Sequence, residues 1–363
     1  MTAMYYKVRH YQYKNRIGNL RAEAVGVVSG EKHFPIFPGN MIFKPLTKSK
    51  PFSTPLYAYA EVFWSTIINE YFMPAPRYEL AICEGYEAAN EKYLDYGTTV
   101  PMAYKEGENL LNLLEFFRKY PDEKVDIDNY VNYCQMFYDY RDIFEADFFQ
   151  EHQEMAEQLA MQVLISVLKG DQNYHYENVA FLCDKDGGII SLAPMIDHEF
   201  STYFMFPDDI SRHVYWLMEL SKSISGWEVR PGEYDNFKDP EERKLMEKSA
   251  TCIHKNLLYI KEHYPQTTEE FLDKAEKLKT ALTEASEDFL IRGNTEYSDC
   301  ADSSAWLIGK ARYKDKDEEK ASAYEAELYG KGKKLDFRDV SISAINEIKA
   351  VISQMEEVLG KRE

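Results

Sequence analysis

The sequence lacks a long apolar run. No part of it approaches the roughly 18 uninterrupted apolar residues that a membrane-spanning helix needs. The first residues, MTAMYYKVRHYQYKN, also lack the apolar segment of a secretory signal peptide. We therefore expect no membrane partner and a location in the cytoplasm.

Cysteine is scarce as well. The 363 residues contain five cysteines, without a CxxC pair or a spacing typical of metal sites, and the eight histidines include neither HxH nor HExxH. A sparse, odd set of cysteines in a long chain is typical of reduced thiols in a cytosol. Both a disulfide-stabilised secreted domain and a zinc enzyme are thus disfavoured.

Positive charge is in deficit. The chain has 43 Lys and Arg against 62 Asp and Glu, which gives a net charge of −19. Proteins that bind nucleic acids or anionic membranes generally carry an excess of Lys and Arg. We therefore expect no direct nucleic-acid binding. A small anionic ligand remains compatible, because its site needs only a few local cations.

Aromatic side chains are abundant: 28 Tyr, 20 Phe and 4 Trp. With 45% hydrophobic residues, the chain has ample material for a folded core. Its length is sufficient for two lobes or two domains.

The character of the chain changes near residue 95. In residues 1–95, MIFKPL (41–46) and RYELAICEG (77–85) predict strands, and the run 55–72 predicts a helix because it has no glycine or proline after its first residue. Residues 96–363 predict mainly helices. The amphipathic helices expected there include 108–120, 154–170 and 340–359. The predicted fold class is α+β, with a small β-rich N-lobe at 1–95 and a larger, mainly helical C-lobe at 96–363.

A polar loop and a hairpin stand out within the second part. The stretch KGDQNYHYENVAFL (169–182) crowds polar residues before an apolar run, and IISLAPMIDHEF (189–200) follows a KDGG turn. Two apolar runs on either side of such a turn predict a β-hairpin. Loops rich in ionisable groups often carry chemistry, although an ordinary solvated loop is the alternative.

The two ends of the predicted hairpin carry Asn178 and Asp197. A hairpin of this length returns its ends to the same place, so the amide and carboxylate oxygens can meet at one cation. Such oxygens suit Mg²⁺. His175 lies in the loop, where it can brace the backbone by hydrogen bonds.

Three more candidates lie in the first part of the chain. Lys44 lies in an apolar strand and needs a partner or a ligand, and Glu61 on the following helix is the natural partner. The alternative is a lysine that extends to solvent and an exposed glutamate. VVSGEKHF (27–34) offers Ser29, Gly30 and Lys32 as a turn whose N–H groups cover phosphates, or simply as an ordinary hairpin turn.

Together these motifs resemble the HipA-like serine/threonine protein kinases. That family has a loop of the form G-N-T-D-R-H-x-x-N-φ and a hairpin that ends L-x-P-φ-φ-D-φ-x-S. Here GDQNYHYENVAFL and LAPMIDHEFS match in order and spacing, and SGEKHF resembles the family's phosphate loop S-G-x-Q-x-K. The resemblance covers residues 25–200 well and the helical tail only by type.

The resemblance implies a two-lobed, protein-kinase-like fold with the catalytic loop and metal-binding hairpin at 170–201. It implies ATP and Mg²⁺ as cofactors and a serine or threonine of a protein as acceptor, with Ser29 as a candidate autophosphorylation site. The residues carried over as MgATP ligands are Lys44, Glu61, Asn178 and Asp197, together with Ser29, Gly30 and Lys32 at the phosphates.

One departure from the family pattern concerns the catalytic aspartate, whose position holds Asn173. An amide cannot accept the proton of an acceptor hydroxyl. Asp171, two residues earlier, is expected to act in its place. The alternatives are a nucleotide-binding pseudokinase or regulatory scaffold, and a small-molecule phosphotransferase, because aminoglycoside and choline kinases share the same parts.

Family members often occur in toxin–antitoxin pairs and carry an additional N-terminal subdomain. Only a short segment precedes Ser29 here. We therefore expect a stand-alone member that acts on an unknown protein substrate, and the sequence offers no support for an antitoxin-like partner.

Overall fold

The computed structural model describes the greater part of the chain. The described residues are 9–12, 36–37, 41–45, 55–86, 92–101, 107–127, 139–171, 173–198, 200–204, 210–227, 240–290 and 337–360.

Five strands form the first sheet. They are β1 (Arg9–Gln12), β2 (Ile36–Phe37), β3 (Met41–Pro45), β4 (Glu79–Tyr86) and β5 (Lys92–Pro101), in the order β1-β4-β5-β3-β2. The pairings are antiparallel except that β1 runs parallel to β4. The strands predicted at 41–46 and 77–85 are confirmed as β3 and β4.

Strand β5 is an addition to the predicted pattern. It pairs with β4 from Lys92 to Thr99 and with β3 from Gly97 to Pro101. The expected division between residues 95 and 96 therefore falls inside a central strand of the first sheet, and that sheet continues to Pro101.

The predicted helix at 55–72 is confirmed as α1 (Pro55–Ile67), which continues into a π-helical turn at Ile68–Phe72. Nearly every residue from Leu56 to Ile67 is buried, since α1 packs against the first sheet on one side and against residues 202–204 on the other. The whole helix is thereby fixed in position.

A second, three-stranded sheet contains the predicted hairpin. Strands β7 (Ala180–Cys183) and β8 (Ile189–Leu192) are antiparallel neighbours, and β6 (Asn109–Asn112) pairs with β7. The helix predicted at 108–120 is therefore wrong in its first part.

Helix α2 spans only Leu113–Lys119. The side chain of Asn112 accepts a hydrogen bond from the Glu115 N–H at 2.7 Å and begins the helix there. The backbone groups of Asn109–Asn112 pair with β7 in the sheet, and this long-range pairing overrides the helical periodicity of these residues.

Seven further α-helices are described in the C-terminal part of the chain. They are α3 (Arg141–Glu145), α4 (Asp147–Glu151), α5 (Gln153–Lys169), α6 (Ile210–Ser225), α7 (Pro240–His263), α8 (Pro265–Glu284) and α9 (Phe337–Gly360). Helices α5 and α9 confirm the predictions at 154–170 and 340–359. With the two sheets they confirm the α+β class, β-rich first and helical afterwards. No helix within the described residues has the length and apolarity to cross a bilayer.

Helix α5 ends at Gly170 with the left-handed dihedral φ +58°. A Cβ atom there would lie 3.0 Å from the side chains of Leu220 and Thr202. Glycine suits this position, because the left-handed backbone is strained for other residues and a Cβ atom would require Leu220 and Thr202 to shift by a few tenths of an ångström. The turn directs the chain from the buried helix into the polar loop.

We predict that Ile348→Ala lowers the free energy of unfolding by about 2–5 kcal/mol, because Ile348 is completely buried on the apolar stripe of α9. Ile342→Ala on the same helix is the matched control. Its side chain is 41% exposed, so a change within about 0.5 kcal/mol is expected. Denaturant unfolding measures both, and equal effects would contradict the packing described for α9.

Candidate functional site

Lys44 and Glu61 form an ion pair between β3 and α1. The Lys44 Nζ donates to the Glu61 Oε1 at 2.5 Å, and the Thr98 hydroxyl donates to the Glu61 Oε2 at 2.5 Å. The Glu61 side chain is completely buried. The predicted pair is thus present, and the alternative of an exposed glutamate is not what the structure has.

Asp197, at the end of the hairpin, contacts the same lysine. The Lys44 Nζ donates to its Oδ1 at 2.5 Å. Burial favours the neutral amine of Lys44, but the carboxylates of Asp197 and Glu61 outweigh it and raise its pKa above the ordinary value. Lys44 is therefore an ammonium that joins the first sheet, α1 and the hairpin.

The Asp197 backbone adopts a left-handed conformation, with φ 62°, the only non-glycine residue among those described to do so. This conformation costs an aspartate roughly 1–3 kcal/mol and persists only where the surroundings hold it. Its N–H donates to the Tyr78 hydroxyl at 3.2 Å, and its carbonyl accepts from the Lys169 Nζ at 3.4 Å. The side chain stays 25% exposed, so its carboxylate is accessible to a ligand.

Tyr78 is buried beside this aspartate. Burial, and then the nearby carboxylate of Glu61, raise the pKa of its phenol. Tyr78 therefore remains a neutral hydroxyl that can accept the Asp197 N–H.

In the polar loop, Asp171 forms an ion pair with Lys169, and both side chains are buried, at 2% and 0% exposure. The other carboxylate oxygen of Asp171 accepts the Asn173 N–H at 2.9 Å. Burial raises the pKa of Asp171, and the Lys169 ammonium opposes that rise. Asp171 thus has two partners inside the protein, and its role as a base stays a prediction.

The rest of the loop is held by short-range hydrogen bonds. The Asn178 Nδ2 donates to the Asn173 carbonyl at 2.6 Å, and the Asn178 N–H donates to the His175 carbonyl at 2.8 Å. The His175 Nδ1 accepts from the Glu177 N–H at 3.2 Å. His175 therefore lies where a bracing residue is expected, and the Asn178 Oδ1 remains the acceptor that a cation can use.

Several polar residues near the site were not anticipated from the sequence. Besides Tyr78 and Thr98, Ser201 accepts from the Trp64 indole N–H at 2.9 Å and donates to the Lys169 carbonyl at 2.8 Å. A signal for Lys169 is present: it follows the apolar run LISVL directly and precedes the glycine that ends α5. A lysine in such a position needs a buried partner.

The structure thus brings Lys44, Glu61 and Asp197 into direct contact, and Lys169 connects Asp171 with Asp197. Ser29, Gly30 and Lys32 lie outside the described residues.

A Mg²⁺ ion suits the donors that are present. Within the described residues no group of three or more His, Cys, Asp or Glu is arranged for a metal. Mg²⁺ usually takes only one or two protein oxygens and completes its shell with phosphates and water. The partly exposed carboxylate of Asp197 and the amide oxygen of Asn178 are of that kind, and the Lys44 ammonium is suited to a phosphate.

Comparison with known proteins places few limits on the function. No protein-family model matches the chain, and no curated protein matches it significantly. Among solved structures, a proinflammatory kinase of Helicobacter pylori, CtkA, is similar, with a TM-score of 0.42 and 12% sequence identity over 89% of this chain and 99% of that chain. A likeness this distant carries no functional argument.

We predict that Glu61→Gln lowers the free energy of unfolding by about 1–3 kcal/mol, because it removes a buried charge that accepts two hydrogen bonds. Asp197 still pairs with Lys44 in this variant, which limits the loss. The control is Glu70→Gln, which affects an exposed pair with Arg77 and should change stability by only about 0–1 kcal/mol. Similar small losses for both variants, measured by denaturant unfolding, would contradict the buried pair.

Proposed function

We propose that the protein transfers a phosphoryl group from ATP, with Mg²⁺, to a serine or threonine of a protein. The observation that carries the proposal is the Lys44 ammonium, held between Glu61 of α1 and Asp197 of the hairpin at 2.5 Å from each carboxylate. A strand lysine fixed by a helix glutamate next to an accessible carboxylate is the set of groups that phosphoryl transfer in kinases requires.

Each residue has a definite task in this proposal. Lys44 binds phosphate oxygens of the nucleotide, and Glu61 keeps the lysine in place. Asp197 and Asn178 hold Mg²⁺, which when bound supplies charge neutralisation at the phosphates. His175 keeps the loop, and with it Asn178, in position. Ser29, Gly30 and Lys32 are proposed to cover the phosphates.

The position that corresponds to the family's catalytic aspartate carries no carboxylate here. Asn173 is an amide, and Asp171 is buried with Lys169. Phosphoryl transfer depends more on positioning and charge neutralisation than on a base. Slow transfer is therefore expected, with Asp171 as base only if it leaves Lys169.

The amide at Asn173 and the burial of Asp171 against Lys169 favour a second candidate, a pseudokinase that binds nucleotide without transferring phosphate. The two candidates share the MgATP site and differ only in the acceptor step. A small-molecule acceptor is distinguished from a protein by an acceptor screen with labelled ATP.

We expect Asp197→Asn to lower phosphoryl transfer from γ-labelled ATP by about 100-fold or more, since it removes the metal-binding charge. The matched control is Asp186→Asn at the exposed tip of the same hairpin, which should keep wild-type activity. Full activity of a folded Asp197→Asn protein would refute the proposed role. ATP binding without any transfer by the wild type would favour the pseudokinase.

Asn173→Asp tests the departure from the family pattern directly. A carboxylate at this position can orient and deprotonate an acceptor hydroxyl, and a well-placed base contributes about 100-fold or more. We expect faster transfer in this variant, while Asn173→Gln, which keeps an amide, should show no gain. An unchanged rate for Asn173→Asp with normal ATP binding would show that this position does not face the acceptor.

A further inference from the structure

The side chain of Lys169 is completely buried, yet it contacts three polar groups from two segments. Its Nζ forms the ion pair with Asp171, lies 3.4 Å from the Asp197 carbonyl oxygen and 3.2 Å from the His198 Nδ1. One ammonium at the end of α5 therefore joins the polar loop to the end of the hairpin.

His198, the residue after Asp197, lies beside the same ammonium. Its buried ring presents Nδ1 to the Lys169 Nζ at 3.2 Å. Lys169 therefore contacts two consecutive residues at the end of the hairpin.

The backbone around Lys169 is attached to the same segment. The Ser201 hydroxyl donates to the Lys169 carbonyl at 2.8 Å, and the Thr202 N–H donates to the Gly170 carbonyl at 3.0 Å. Asp171 and Ser201 also form an isolated antiparallel β-bridge. The position of the Lys169 ammonium relative to the end of the hairpin is thus closely determined.

Asp171 is the counter-ion that this arrangement needs. An isolated ammonium is too costly to bury, and a carboxylate beside it offsets that cost. The Asn173 N–H on the second oxygen of Asp171 keeps the carboxylate turned toward Lys169. The unusual place of this acid, two residues before the position of the family's aspartate, has a reason that does not involve the acceptor.

We propose that Lys169 is a positioning residue: held by Asp171, it fixes the carbonyl of Asp197, keeps that residue in its left-handed conformation and so determines how well the site takes up Mg²⁺. This inference rests on the proposed Mg²⁺–ATP site, but it does not require phosphate transfer. It replaces the role of Asp171 as base with that of an indirect support for the metal ligand.

The test is the Mg²⁺ concentration that gives half-maximal binding of a fluorescent ATP analogue. Lys169→Met should raise this concentration by about tenfold or more, as expected when a group that orients a metal ligand is lost. Lys169→Arg keeps the charge and should restore most of the Mg²⁺ affinity. Lys222→Met on α6, which removes an ion pair with Glu219, should leave the half-maximal Mg²⁺ concentration unchanged.

The double variant Lys169→Met/Asp171→Asn keeps the test valid if the single variants fold poorly. It leaves no unpaired charge in the interior, so it should fold, and it should show the same rise as Lys169→Met alone. An additive effect of the two changes, or unchanged Mg²⁺ dependence in the folded double variant, would overturn the proposal.

If the wild-type protein transfers phosphate, the Asp171→Asn variant separates a positioning role of Asp171 from a role as base. A positioning role predicts a raised Mg²⁺ requirement, with the rate largely recovered at saturating Mg²⁺. A base role predicts a lower rate at saturating Mg²⁺ with unchanged Mg²⁺ dependence, which would refute the inference. Mg²⁺-dependent binding without transfer would refute only the proposed kinase activity, whereas no binding of the analogue by the wild type would refute both.

Discussion

The site depends on one partly buried contact, the Lys44 ammonium between the carboxylates of Glu61 and Asp197. A cation with two carboxylates in a partly buried place is stable only if all three groups are held close together. Strand β3, helix α1 and the end of the hairpin supply one group each. The packing of these elements is therefore what makes the charge arrangement possible, and a nucleotide would find the lysine already oriented.

Helix α1 links the Lys44–Glu61 pair to the residues that follow the hairpin. Its Phe63 and Trp64 rings pack on Phe204 and Tyr203, with centroid separations of 5.2 and 6.0 Å. The Trp64 indole also donates to Ser201, close to the point where α5 ends. Glu61 thus cannot move without disturbing the segment that follows Asp197, which couples the first sheet to the polar loop.

The sequence predicted much of this, for identifiable reasons. The DGG turn between two apolar runs predicts the hairpin, and an apolar strand that carries a lysine before a helix with Glu61 predicts the pair. Strand β6 escaped prediction because its ladder with β7 is a long-range contact that overrides helical periodicity. The Lys169–Asp171 pair escaped because it depends on the left-handed turn at Gly170 and on contacts with Asp197 and Ser201, which local patterns do not encode.

The most direct test of the proposed nucleotide site is calorimetric titration of the wild-type protein and a folded Lys44→Met variant with ATP in the presence of Mg²⁺. We expect saturable binding by the wild type and a loss of affinity of about tenfold or more in the variant, because the only change is the removal of the ammonium that contacts the phosphates. Equal affinity of the two proteins, or no binding by the wild type, would contradict the role of Lys44 in this site.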